Sequence, residues 1–93
     1  MVVGVLQVEL TIPSADSLKA KRRILSSLKD RIGRNFNVSV AEVDENDQWQ
    51  TAVLAVIVAS NDKRFANRVL SKIVDFIRSS HDIVVEDYQL GMI

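Results

Sequence analysis

Hydrophobic and polar residues alternate along the first dozen positions of the chain. Leu6, Val8, Leu10 and Ile12 fall on one side of an extended backbone, and Val5, Gln7, Glu9 and Thr11 on the other. A period of two predicts a β-strand over residues 2–12 with one buried face. Pro13 closes it, because proline has no N–H to give a ladder. Ser14 or Asp16 is placed to cap a following helix by accepting from its free N–H groups. The period then lengthens. In "SLKAKRRILSSLKDRI", residues 17–32, Leu18, Leu25, Leu28 and Ile32 recur at helical spacing, and Ile24 widens the stripe. Gly33 to Asn35 predict the helix end, at a left-handed cap. "FNVSVAEV", 36–43, is β-branched enough for a second strand. "DENDQ", 44–48, is a turn, and "WQTAVLAVIVAS", 49–60, is a third strand, apolar on both faces as a central strand should be. "SND", 60–62, starts a second helix with Phe65, Val69, Ile73, Phe76 and Ile77 as its core stripe. "DIVVEDYQLGMI", 82–93, is the last strand.

The order is therefore β-α-β-β-α-β. Two right-handed crossovers sharing one sheet predict the α+β, ferredoxin-like sandwich. It has a four-stranded antiparallel sheet, strands one and three in its middle, and two helices on one face. The chain of 93 residues is read as one domain, 1–93. A domain this small buries a modest fraction of its surface, and oligomerisation is a common way to add stability.

Composition narrows the setting more than the activity. With 47% hydrophobic and 26% charged residues, this is an ordinary folding chain. It has no cysteine, hence no disulfide and no thiolate metal site, which fits a reducing cytoplasm. The N-terminal stretch lacks a charged leader and is interrupted by Glu9, so it reads as a strand. "AVLAVIVA", 52–59, is far shorter than the roughly 20 residues needed to cross a bilayer. The expectation is a cytoplasmic protein with no membrane contact.

The inventory for catalysis is thin, and the chain is expected not to be an enzyme and to need no cofactor. His81 is the single histidine and falls near the end of the second helix, where a cation is favoured by the helix dipole. "PSADS" lacks the glycines that let backbone approach a phosphate. Glu42, Asp44, Glu45 and Asp47 cluster on one hairpin. They could hold a hard cation, but their spacing is not that of a calcium loop, and a solvated turn is the simpler reading.

Charge is more informative. The chain is neutral overall, yet Lys19, Lys21, Arg22, Arg23, Lys29, Arg31 and Arg34 gather in the first helix with only Asp30 to offset them. At about 100° per residue, Lys19, Arg23 and Arg34 fall opposite the apolar stripe, and Arg22, Lys29 and Arg31 flank it. Lys21 falls on the stripe itself. It must snorkel or pair with an acid, for which Glu42 and Glu9 are the candidates. The rest form either a solvated face or a ridge contacting nucleic-acid phosphates. The helix lacks acids four positions ahead of its bases, which argues against internal pairing. Zero net charge argues the other way, since dedicated nucleic-acid binders are usually basic.

The outer face of the sheet has its own pattern. RNA-binding domains of this fold stack bases on aromatics of the central strands. Here those strands carry no aromatic beyond Trp49, at the start of the third. They offer instead Val5, Val53, Ala55 and Ile57, an apolar face expected to serve self-association, most simply a homodimer, or a partner.

The segments "LTIPSADSLKAKRRILSSLKDRI" and "FNVSVAEVDENDQWQTAVLAVIVASND" closely resemble the bacterial YlxP-like family, a small domain of unknown function. The marks are Ser17, Leu18, Lys19, Lys21 and Arg22, then Phe36 to Glu42, then Asp47, Trp49 and Gln50, with no departure in these segments. The resemblance implies a ferredoxin-like fold and, in many bacteria, a gene among those for translation initiation and ribosome maturation. It implies no catalytic activity. The resulting expectation is a translation- or ribosome-associated factor touching RNA through Lys19, Lys21, Arg22, Arg23, Lys29, Arg34 and Trp49. The alternative is a homodimeric protein-interaction or regulatory module without nucleic acid.

Overall fold

The computed structural model describes residues 1–44 and 48–93. Its elements are β1 (Val2–Thr11), α1 (Leu18–Asn35), β2 (Ser39–Glu42), β3 (Thr51–Ser60), α2 (Lys63–Arg78) and β4 (Val84–Met92). The strands form one antiparallel sheet in the order β2-β3-β1-β4, so β1 and β3 lie in the middle as their apolar content requires. Both helices cover the same face of this sheet. It is the ferredoxin-like sandwich that the element order predicts.

Alternation along the central strands decides which face is which. Leu6, Val8 and Leu10 of β1, with Ile12 just beyond it, meet Ala52, Leu54, Val56 and Val58 of β3 under the helices, all buried. Each of the larger of these side chains contributes about 1.5–3 kcal/mol of transfer free energy. The helices complete the core with Leu25, Leu28 and Ile32 from α1 and Leu70, Ile73 and Ile77 from α2.

Local chemistry sets the ends differently from the expectation in several places. The cap of α1 is Ser17, not Ser14 or Asp16; its hydroxyl accepts from the Ala20 N–H at 3.0 Å. The helix does not end at a left-handed residue, and none of the described residues has a positive φ. Instead Phe36 turns extended while its N–H still bonds the Ile32 carbonyl, and its ring meets Phe76 edge-on at 5.6 Å. The Asn35 amide closes the Arg31 carbonyl at 2.7 Å. This use of Phe36 in the core shortens β2 to four residues. At α2, Asp62 is the cap and accepts from the Arg64 N–H.

The stripe of α2 is also rotated from the one expected. Ile73 and Ile77 are buried, but Phe65 is 49% exposed and Ala66, Leu70 and Val74 face the sheet. The reason lies at Gly4 of β1, where α2 comes close. A Cβ placed there would stand 3.0 Å from the Leu70 side chain, 3.4 Å from Ala66 and 2.9 Å from Val58. Ala66 and Leu70 fill that line, and Phe65 is turned away from it.

The two sheet edges differ. β2 is short. β4 carries a bulge: Glu9 pairs Asp87 while Leu10 pairs Val85, leaving Glu86 as the extra residue. A bulge with acids beside it discourages another strand from adding to that edge.

Gly4→Val is expected to cost about 1–3 kcal/mol by overpacking the β1–α2 contact, measured as a lower midpoint in urea unfolding at unchanged slope. An unchanged midpoint would mean that α2 does not bear on β1 at this point.

Candidate functional site

Lys21 is the one charged residue in the described core, 2% exposed. It sits on the apolar face of α1 because its position there is helical-periodic with Leu25, Leu28 and Ile32. Its ammonium donates to the Gln48 carbonyl at 2.9 Å and lies 3.8 Å from the Glu42 carboxylate. Of its two expected acid partners the structure selects Glu42. Glu42 pairs with Leu54 on the helix-facing side of β2, whereas Glu9 pairs with Val53 and Asp87 on the other side of the sheet. Lys21 thus does not belong to the open basic face with which the sequence grouped it; burial makes it a tie between α1, β2 and the segment entering β3.

That segment is held twice more. The Gln50 side-chain amide donates to the Pro13 carbonyl at 3.0 Å and reaches the Ala15 carbonyl at 3.5 Å, while the Gln50 carbonyl accepts from the Ile12 N–H at 2.8 Å. Thr51 donates its hydroxyl to the Gln48 side-chain oxygen. Between these clamped residues stands Trp49, 51% exposed. Ser17, Lys21, Glu42 and Gln50 are therefore one local device, and Trp49 is what it presents. Glu45 and Asp47 of the acidic hairpin lie outside the described residues. Among the described residues no cluster of acids or histidines could hold a metal ion.

The basic residues are distributed more sharply than the sequence suggested. Every lysine and arginine of the chain lies in α1 or α2, and no strand carries one. Lys19, Arg22, Arg23 and Arg34 are exposed, and Lys29 and Arg31 are partly so. The residues that sequence reasoning missed are on α2: Lys63, Arg64, Arg68, Lys72 and Arg78, all exposed. Counting charges on the second helix as on the first would have found them. The two helices share one layer, and Arg31 of α1 reaches the Ser80 hydroxyl just past α2. Only Asp30 and Asp75 sit among these bases within the helices. Among the described residues none of the surface bases makes an ion pair. His81 is exposed in the turn after α2.

The sheet's other face is built from Val5, Gln7, Glu9 and Thr11 opposite Ile57, Ala55, Val53 and Thr51. No helix covers it. Tyr88 pairs with Val8 and so sits on the helix side, where the Arg78 guanidinium lies 5.6 Å from its ring. The open face thus has no aromatic platform among the described residues. No helix is long and apolar enough to cross a membrane among them.

Fold and site together define a small ferredoxin-like sandwich with a basic helical layer and a clamped loop. The comparisons agree on the architecture. The chain covers 100% of its length on the de novo designed protein Foldit4, at TM-score 0.56, 14% identity and 97% of that protein. A second designed protein, described as having a ferredoxin fold, aligns at TM-score 0.54, 16% identity and 84% of its length. The family described as protein of unknown function DUF503 matches residues 3–90, and this chain belongs to it. Over 81 residues it is 31% identical to the uncharacterized protein YlxP of Bacillus subtilis strain 168, covering 87% of this chain and 88% of that one.

Removing one partner of a buried ion pair strands the other, so Lys21→Met is expected to lose about 3 kcal/mol, the low end for such pairs because Glu42 keeps some solvent. Adding Glu42→Leu should recover part of that loss. Urea unfolding of the two single variants and the double variant measures both; additive losses would show that the pair is not coupled.

Proposed function

We propose that this protein binds RNA through its helical layer, holding the phosphate backbone, and carries out no chemistry of its own. The observation that supports this reading is the confinement of every lysine and arginine of a neutral chain to one layer. Surface bases left without acid partners keep their full charge for a polyanion. Fixed cations that displace condensed counterions bind nucleic acid whatever its sequence. Among nucleic acids, the translation-linked gene setting implied by the family resemblance favours RNA, with a ribosomal subunit as the natural carrier. The exposed bases of α1 and α2 act together as one surface.

Such binding weakens steeply with salt. If four of these bases engage a single strand, affinity should fall about 50-fold between roughly 50 and 200 mM salt. Changing Lys19, Arg22, Arg23 and Lys29 to Glu, or separately Lys63, Arg64, Arg68 and Lys72 to Glu, should each abolish co-sedimentation with ribosomal subunits in a protein that still folds. A wild-type protein that binds neither RNA nor subunits at low salt would overturn the reading and favour a protein partner.

A second reading concerns assembly and rests on the uncovered sheet face, for which we propose a second copy of this chain as occupant. The helical layers of two copies repel one another, and the β4 edge is guarded by its bulge. The open face carries no base, and Val3, Val5, Val53, Ala55 and Ile57 make it apolar along one side. Strands of ten, four, ten and nine residues span about 500 Å² per copy. The resulting total of about 1,000 Å² is at the threshold a specific interface has to clear. Ile57→Lys should therefore turn a concentration-dependent dimer into a monomer in analytical ultracentrifugation while leaving RNA binding per protomer intact. A wild-type monomer at the highest attainable concentration would refute the dimer.

A further inference from the structure

Trp49 is the only tryptophan of the chain and one of its most exposed large hydrophobic side chains. Its neighbours on both sides are fixed: the Gln48 carbonyl by a buried ammonium, and Gln50 by its side-chain and main-chain bonds to residues 12–15. A buried charge, costly in itself, thus serves to hold a segment that leaves an indole in solvent. The two other exposed aromatic rings are already occupied. A guanidinium lies over Phe65 from Arg68, and another over Tyr88 from Arg78. Trp49 has no ring or cation partner among the described residues.

Its position relative to charge matters equally. The ammonium that holds Gln48 comes from Lys21, and Lys19, Arg22 and Arg23 lie within one helical turn of Lys21 at the surface. Gln48, the residue before Trp49, is thus tied to the turn of α1 that carries these bases.

We infer that Trp49 is a stacking anchor for an unpaired base of RNA held by the helical layer; this rests on the reading of that layer given above. Every nucleobase has a face to offer, so stacking on an indole is tolerant of sequence. Because the clamp already orders the backbone on both sides, little conformational freedom is lost on binding. A base within a duplex is stacked on its neighbours and has no free face. The anchor therefore makes the surface prefer single-stranded or looped RNA over a continuous helix, a distinction that the cations alone do not make.

The test uses the tryptophan as its own reporter. The full chain is titrated at low salt with oligouridylate, whose bases are open, and with a blunt RNA duplex of equal phosphate count. Expected are quenching of the indole emission by oligouridylate but not by the duplex. Trp49→Ala should weaken oligouridylate binding about 5- to 140-fold and leave duplex binding unchanged, while Trp49→Phe keeps most of the affinity. Circular dichroism and urea unfolding check that both variants fold; should Trp49→Ala fail to, the quenching and Trp49→Phe still decide. If oligouridylate binds with the expected salt dependence but without quenching, and Trp49→Ala binds it equally well, the anchor is refuted and the basic layer stands. If neither RNA binds, both readings fall.

Discussion

A single ammonium group in the wrong solvent organises one end of this molecule. Lys21 lies on the apolar face of α1, where its charge must be answered by polar groups or neutralised. The answer comes from β2 through Glu42 and from the segment before β3 through the Gln48 carbonyl. Two stretches distant in sequence, α1 and the chain from β2 to the entry of β3, therefore meet at this charge. The Gln50 bonds to the Pro13–Ala15 linker follow from the same convergence, since they join the entry of β3 to the entry of α1. A leucine at this position would ask nothing of Gln48 but would leave Glu42 without its cation. Charge at the core's edge is what holds Gln48, and with it the entry to β3.

This arrangement also sorts the marks by which the chain resembles its family. Ser17 caps the helix that brings Lys21 inward; Lys21, Glu42 and Gln50 hold the loop; Lys19, Arg22 and Trp49 are left facing solvent. Holding residues and presented residues alternate within a few positions of each other. The short motif is best understood as a support together with what it supports.

Much of the fold was legible because one face of each element had to be dry. The period of two in β1 and the unbroken apolar run of β3 located the central strands, and the seven-, three- and four-residue spacings located α1. Details that depend on how closely elements approach were not legible. Phe65 read as core because its spacing was right, but α2 meets β1 at Gly4 through Ala66 and Leu70, which leaves Phe65 turned outward. Likewise Gly33 and Asn35 suggested a left-handed stop, whereas the pull of Phe36 towards Phe76 ended the helix in an extended residue. At the site, the inward position of Lys21 was readable from periodicity, but its partner only as a choice between Glu42 and Glu9 that the strand register decides. That Lys21 leaves the open basic face, and that α2 supplies five further bases to it, required both helices to be seen on one layer.

Net charge is a poor guide to this surface, and the dimensions of the molecule explain why. At physiological ionic strength an electrostatic field decays over about 8 Å. Even the shortest principal extent of the protein is 18 Å, roughly twice that length. A polyanion arriving at the helices meets every lysine and arginine of the chain at close range, all but Lys21 at the surface. The same polyanion arriving at the open sheet face meets none of them. The zero total is an average that no approaching partner experiences, because all the basic side chains stand on one side of the hydrocarbon core.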